Sequence, residues 1–81
     1  MSSKVLTMYS TVWCGFCRRL KAQLDREGID VVVVDIAEDA NAADLVMSVN
    51  GGNQTVPTLV FPDGSALTNP SVAQVKAQLA A

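Results

Sequence analysis

Between Val5 and Val34 the chain runs through a short apolar segment, an amphipathic segment and a second apolar segment, and that order restricts the possible folds more than any other feature. Val5–Tyr9 (VLTMY) is apolar and partly β-branched, which reads as a buried strand. Over Cys14–Glu27, the residues Cys17, Leu20 and Leu24 recur at i, i+3 and i+7 on one helix face, and Gly28 is a natural C-terminal stop. Val31–Val34 is a run of four valines ending at Asp35, a strand on side-chain stiffness. Strand, helix and strand within this span demand a parallel pair joined by a right-handed crossover.

The remainder extends the same architecture. Ala42, Leu45, Val46 and Val49 fall at i, i+3, i+4 and i+7, a second amphipathic helix that stops at Asn50-Gly51-Gly52. Thr58–Phe61 reads as a strand, Pro62-Asp63-Gly64 as a turn, and Ser65–Thr68 as a short returning strand, so the two form an antiparallel hairpin. Asn69-Pro70-Ser71 opens a last helix with Val72, Val75 and Leu79 on one side. The expected fold class is α/β, in the order βαβαββα, with a mixed four-stranded sheet flanked by three helices. With no internal repeat, low-complexity tract or linker, residues 1–81 are read as one domain.

Composition removes whole classes of function. At 49% hydrophobic and 17% charged residues the chain is globular in type, not disordered. No apolar run approaches the roughly 20 residues of a spanning helix. Met1-Ser2-Ser3-Lys4-Val5 has neither a long apolar stretch nor a small-residue cleavage site, so a cytoplasmic location is expected. A net charge of −2 argues against any sequence-independent grip on nucleic acid. There is no histidine, which eliminates Cys–His, Ser–His and His–metal mechanisms together.

What remains is Cys14-Gly15-Phe16-Cys17, placed where the first strand hands over to the first helix. A reactive cysteine acts as its thiolate. Unsatisfied N–H groups and partial positive charge at a helix N-terminus favour that anion. Cys14 is expected there, exposed, with Cys17 one turn further in, mostly buried, and close enough for a reversible disulfide. Arg18, Arg19 and Lys21 follow with no acid before Asp25, against the helix dipole, as expected where positive charge serves to favour the Cys14 thiolate. A merely solvated basic face accounts for that cluster equally well. A structural disulfide closes too short a loop to stabilise much, and a zinc site lacks two further ligands within the chain. Trp13 is read as shaping the cleft beside Cys14, with plain packing the alternative.

Trp13-Cys14-Gly15-Phe16-Cys17 after a strand, followed some forty residues later by Thr55-Val56-Pro57, resembles the glutaredoxin branch of the thioredoxin-fold superfamily along essentially the whole chain. The stretch Ser48–Thr58 (SVNGGNQTVPT), together with Leu67-Thr68-Asn69-Pro70-Ser71, is similar to the mycoredoxins, glutaredoxin-like bacterial proteins that use mycothiol in place of glutathione. The resemblance implies that Cys14 is the nucleophile and Cys17 the resolving cysteine. Pro57 matches the superfamily's cis proline, which turns the Val56 backbone toward Cys14, where its N–H and C=O pair with a bound thiol compound as an added strand would. Trp13, Gly15, Phe16, Thr55, Thr68 and Asn69 would line the same groove.

Two departures from ordinary glutaredoxins bear on the ligand. The acidic segment that commonly enters their last helix, and engages the amino group of glutathione, is here Leu67–Ser71 with no acid. Nor does a lysine shortly precede Cys14. A sugar-based thiol needs neither group, and Asn53, Gln54, Thr68, Asn69 and Ser71 offer neutral hydrogen-bonding groups instead. The implied activity is removal of mycothiol from protein mixed disulfides through Cys14, with mycothiol as co-substrate and NADPH consumed indirectly by a mycothiol disulfide reductase. No bound metal or organic cofactor is called for, and a monomer suffices. Two alternatives stay open. One is a dithiol redoxin reduced by thioredoxin reductase and serving ribonucleotide reductase. The other is a dimeric [2Fe–2S] carrier, for which Gly15 leaves room.

Overall fold

A computed structural model of the chain describes residues 6–80. Its elements are β1 (Leu6–Ser10), α1 (Gly15–Arg26), β2 (Val31–Asp35), α2 (Ala40–Val49), β3 (Thr58–Val60), β4 (Ala66–Thr68) and α3 (Val72–Ala80). The sheet has the order β2-β1-β3-β4. β1 pairs parallel with β2 from Leu6↔Val31 to Ser10↔Asp35, and antiparallel with β3 through Tyr9↔Thr58. β4 closes the hairpin on β3 with Thr58↔Thr68. This is the mixed four-stranded α/β sheet expected from the order of apolar segments.

Alternation along the central strand divides the interior. Leu6 and Met8 point into a cluster with Leu20 and Leu24 of α1, Leu59 of β3, Phe61 and Val75 of α3. Tyr9 and Val34 face the other way and pack against Ala42 and Val46 of α2, with Ile36. Two helices thus cover one face of the sheet and one covers the other. α1 ends where Gly28 is required, at φ +73°, with Ile29 N–H bonded to Leu24 O at 3.0 Å and Gly28 N–H to Asp25 O at 3.1 Å, a Schellman cap. α2 begins at Asp39, whose Oδ1 accepts from the N–H groups of Asn41 and Ala42.

The structure departs from expectation in particular places. Val5 lies outside the described residues, and β1 runs on to Ser10. β2 includes Asp35, while β3 stops at Val60 and β4 begins at Ala66 because Phe61 and Ser65 close the turn through Phe61 N–H···O=C Ser65 at 2.8 Å. The last helix starts at Val72, with Ser71 and Gln74 capping each other reciprocally. Val32 and Val33 are half exposed, because β2 is an edge strand with a neighbour on one side only. On α2 only Ala42 and Val46 are buried, and Leu45 and Val49 stand partly in solvent.

Candidate active site

β1 ends at Ser10, and the Thr11–Val12–Trp13 turn carries the chain to Cys14, the N-cap of α1. The Cys14 N–H donates to the Thr11 carbonyl at 3.2 Å, which fixes the turn. Because β1 and β3 are antiparallel with Tyr9 opposite Thr58, the residues just before β3 lie alongside those just after β1. The Val56–Pro57 segment is therefore delivered to the same end of the sheet as Cys14. The Val56–Pro57 peptide bond is cis, as the resemblance implies for Pro57. Pro57 is buried and its carbonyl accepts from the Asn69 N–H at 2.7 Å, which joins this segment to the chain entering α3.

Cys14 and Cys17 form a disulfide, with Cα atoms 5.3 Å apart. Cys17 is 3% exposed and sits in the core cluster, as its place on the Leu20–Leu24 face requires. Cys14, expected to be exposed, is instead half-buried, because it packs against that cluster beside its partner sulfur. The Cys17 N–H donates to the Cys14 sulfur at 3.1 Å. Once the disulfide is opened, that donor and the helix N-terminus favour negative charge on Cys14 over charge on the buried Cys17.

The surroundings of Cys14 are apolar and open. Val12, Trp13 and Phe16 are 69%, 71% and 66% exposed, and nothing lies within 4 Å of the position a Cβ would take on Gly15. Trp13 thus stands out beside Cys14 and is not packed into the interior. Of the three basic residues, Arg18 Nη1 donates to the Val12 carbonyl at 2.9 Å and braces the turn. Lys21 Nζ lies 2.8 Å from both carboxylate oxygens of Asp25, so its charge is largely balanced within the helix. Arg19 is exposed. A groove of about 430 Å³ reaches Cys17 from the β2 side of α1, past Ser10, Thr11 and Asp35, and none of Trp13, Gly15, Phe16, Thr55 or Val56 lines it.

The neutral polar residues divide into two groups. Thr68 donates to Asn50 Oδ1, Asn53 bonds Asn50 O and Thr55, and the Ser71 hydroxyl caps α3, so these side chains are occupied within the protein. Asn69, at φ 48°, makes no side-chain hydrogen bond among the described residues, and Gln54 makes only a long contact of 3.8 Å to Met47 Sδ. Asn50 was not among the residues expected at the site. Its partners Thr58 and Thr68 lie 8 and 18 positions away, and in sequence it figures only in the Asn50-Gly51-Gly52 helix stop and within the Ser48–Thr58 stretch.

A family model for glutaredoxin matches residues 6–65, which takes in the cysteine pair, the cis-proline segment and three of the four strands. The chain belongs to the glutaredoxin family. It is 54% identical over 79 residues to a protein named as a glutaredoxin in Mycobacterium tuberculosis, covering 98% of this chain and 94% of that one. It is 43% identical over 76 residues to mycoredoxin 1 of Corynebacterium glutamicum, covering 94% of each. Among solved structures, the glutaredoxin of Methanosarcina mazei superposes with a TM-score of 0.79 at 23% identity, over 96% of this chain and 84% of that one. That of Archaeoglobus fulgidus superposes with a TM-score of 0.75 at 26% identity, over 94% and 86%. The fold is the thioredoxin fold, and this glutaredoxin is a thiol-disulfide oxidoreductase with a CxxC-spaced pair.

Proposed function

We propose that this glutaredoxin removes mycothiol from protein mixed disulfides by a monothiol route through Cys14. The observation that carries the reading is charge: Ser48–Thr58, which includes the cis-proline segment, and Leu67–Ser71 contain no ionisable side chain. A thiol recognised there is bound by neutral hydrogen-bonding groups, which suits a sugar-based ligand. In this reading Asn69 and Gln54 supply them, and the Val56 backbone takes the thiol compound as an added strand. The 43% identity to mycoredoxin 1 supports the same ligand class.

In this reaction the Cys14 thiolate attacks the mycothiol sulfur of the mixed disulfide. The protein–mycothiol S–S bond breaks, a Cys14–mycothiol disulfide forms, and the target leaves as a thiolate that takes a proton from water. A second mycothiol, as thiolate, attacks the mycothiol sulfur on Cys14 and regenerates the enzyme. The product, mycothiol disulfide, is reduced by two electrons from NADPH in a separate reductase. Each exchange is close to balanced, so the protein contributes thiolate fraction, access and orientation. The exposed Val12–Trp13–Phe16 surface lets a folded target approach, a single copy of the chain suffices, and a reducing cytosol is the compartment in which the cycle runs.

The Cys14–Cys17 disulfide supports one second reading, a dithiol redoxin in which Cys17 resolves the mixed disulfide and thioredoxin reductase restores the pair. Substitution separates the two. Under the monothiol scheme Cys14→Ser abolishes demycothiolation while Cys17→Ser retains a substantial part of it, measured as loss of mycothiol from a mycothiolated protein. Complete loss in both variants contradicts the scheme and favours the dithiol cycle.

A further inference from the structure

The cis-proline segment hangs from a chain of hydrogen bonds that the cysteine chemistry does not use. Asn50, which caps the C-terminus of α2, donates from Nδ2 to the Val46 carbonyl at 2.9 Å and to Thr58 Oγ1 at 3.1 Å. Thr58 is fully buried, and its hydroxyl donates onward to the Thr55 carbonyl at 2.8 Å. From β4, Thr68 donates to Asn50 Oδ1. From the loop, Asn53 Nδ2 donates to the Asn50 carbonyl at 2.9 Å, while its Oδ1 accepts from the Thr55 N–H at 3.2 Å and from the Thr55 hydroxyl. Thr58 of β3 and Asn53 of the loop therefore bond Thr55, the residue before Val56, directly, and Asn50 at the end of α2 stands behind them, bonded to Thr58, Asn53 and Thr68 of β4.

We infer that Asn50 is a positioning residue, which orients the Thr58 hydroxyl so that the Thr55–Pro57 segment presents the Val56 backbone to the incoming disulfide. The inference rests on the reading that Val56 pairs with the thiol substrate. A threonine hydroxyl has one hydrogen. With the Asn50 amide donating into the Thr58 oxygen, that hydrogen is directed to Thr55 O. The substitution Asn50→Asp keeps shape and the acceptor for Thr68 but replaces the donor with a carboxylate. The Thr58 hydrogen then turns to the carboxylate, and the Thr55 carbonyl loses its tether. Among the described residues Asn50 bonds neither sulfur, so the consequence falls on substrate binding and not on thiolate formation.

The test measures KM and kcat of the wild-type protein, N50D, Thr58→Val and Thr58→Ser with a mycothiol mixed disulfide, in parallel with the rate of Cys14 alkylation by iodoacetamide. The expected result is a KM raised about five- to tenfold in N50D and Thr58→Val, the size of one lost net hydrogen bond. Alongside it, kcat and the alkylation rate hold within about twofold, and Thr58→Ser, which keeps the hydroxyl, restores KM. Unchanged KM in N50D and Thr58→Val overturns the proposal, as does a parallel loss of alkylation rate, which marks a general loosening of the fold. If the wild-type protein turns over only with thioredoxin reductase, the mycothiol reading fails, and the same comparison of KM with a protein disulfide decides the role of Asn50.

Discussion

Cys14 and Cys17 are chemically identical, and position alone gives them different surroundings. Cys14 caps α1, half-buried, and receives the Cys17 N–H, whereas Cys17 is locked among Leu20, Leu24 and Met8. In the proposed mechanism the helix N-terminus and that one N–H favour the Cys14 thiolate, and the basic residues add to this unequally. Lys21 is matched by Asp25, and Arg18 both keeps its charge near the turn and holds the Val12 carbonyl. Arg18→Ala is therefore expected to slow alkylation of reduced Cys14 at pH 7 about two- to threefold, the scale of an exposed charge interaction, and Lys21→Ala to slow it less. Equal effects of the two substitutions contradict the assignment of the Arg18–Val12 contact. The motif itself was legible in sequence because a helix N-terminus and a three-residue spacing are local features. The pairing of Lys21 with Asp25 follows from i, i+4 spacing and is equally local. The half-burial of Cys14 was not legible, because it depends on packing against elements from the rest of the chain.

Helices and strands were recovered in order and number, since each carries its own period: three- and four-residue spacing in the helices, short β-branched runs in the strands. Their surroundings were less accessible. Four valines identify a strand, but nothing in Val31–Val34 says that β2 lies at an edge, where Val32 and Val33 meet solvent. Leu45 and Val49 fit the helical face of α2 by spacing, yet only Ala42 and Val46 of that stripe are buried. Between elements, α1 and α3 are joined at the surface by Lys76 Nζ and Glu27 Oε1 at 2.9 Å. The hydrogen bond and charge of Lys76 hold the Glu27 carboxyl below its ordinary value of 4.5. A depressed carboxyl contributes stability that is present above its unfolded value and is lost as pH falls through its folded one. The difference in urea stability between wild type and Glu27→Gln should thus be small at pH 7 and shrink further below pH 4.5, the carboxyl's ordinary value. A difference that grows in acid contradicts the ion pair.

Across the whole molecule, the parallel β1–β2 crossover and the antiparallel β1–β3 pairing place two distant segments at one end of the sheet. Cys14 arrives after β1, and Val56–Pro57 arrives before β3. That meeting was legible only through resemblance to the glutaredoxins, because no local pattern links residue 14 to residue 57. The network centred on Asn50, in which the Thr58 side chain alone is buried, was not legible at all. It joins side chains up to 18 positions apart, and neutral amides and hydroxyls look alike in sequence whether they face a ligand or one another. With Asn53, Thr68 and Ser71 occupied internally, the open groups near the cis-proline segment remain uncharged, and on this basis a sugar-based thiol is proposed as co-substrate. The most direct test is NADPH consumption with one protein mixed disulfide in three coupled systems: mycothiol with its disulfide reductase, glutathione with its own, and thioredoxin reductase alone. Turnover confined to the mycothiol system is the predicted result. Turnover with thioredoxin reductase alone contradicts it, and makes Cys17 indispensable.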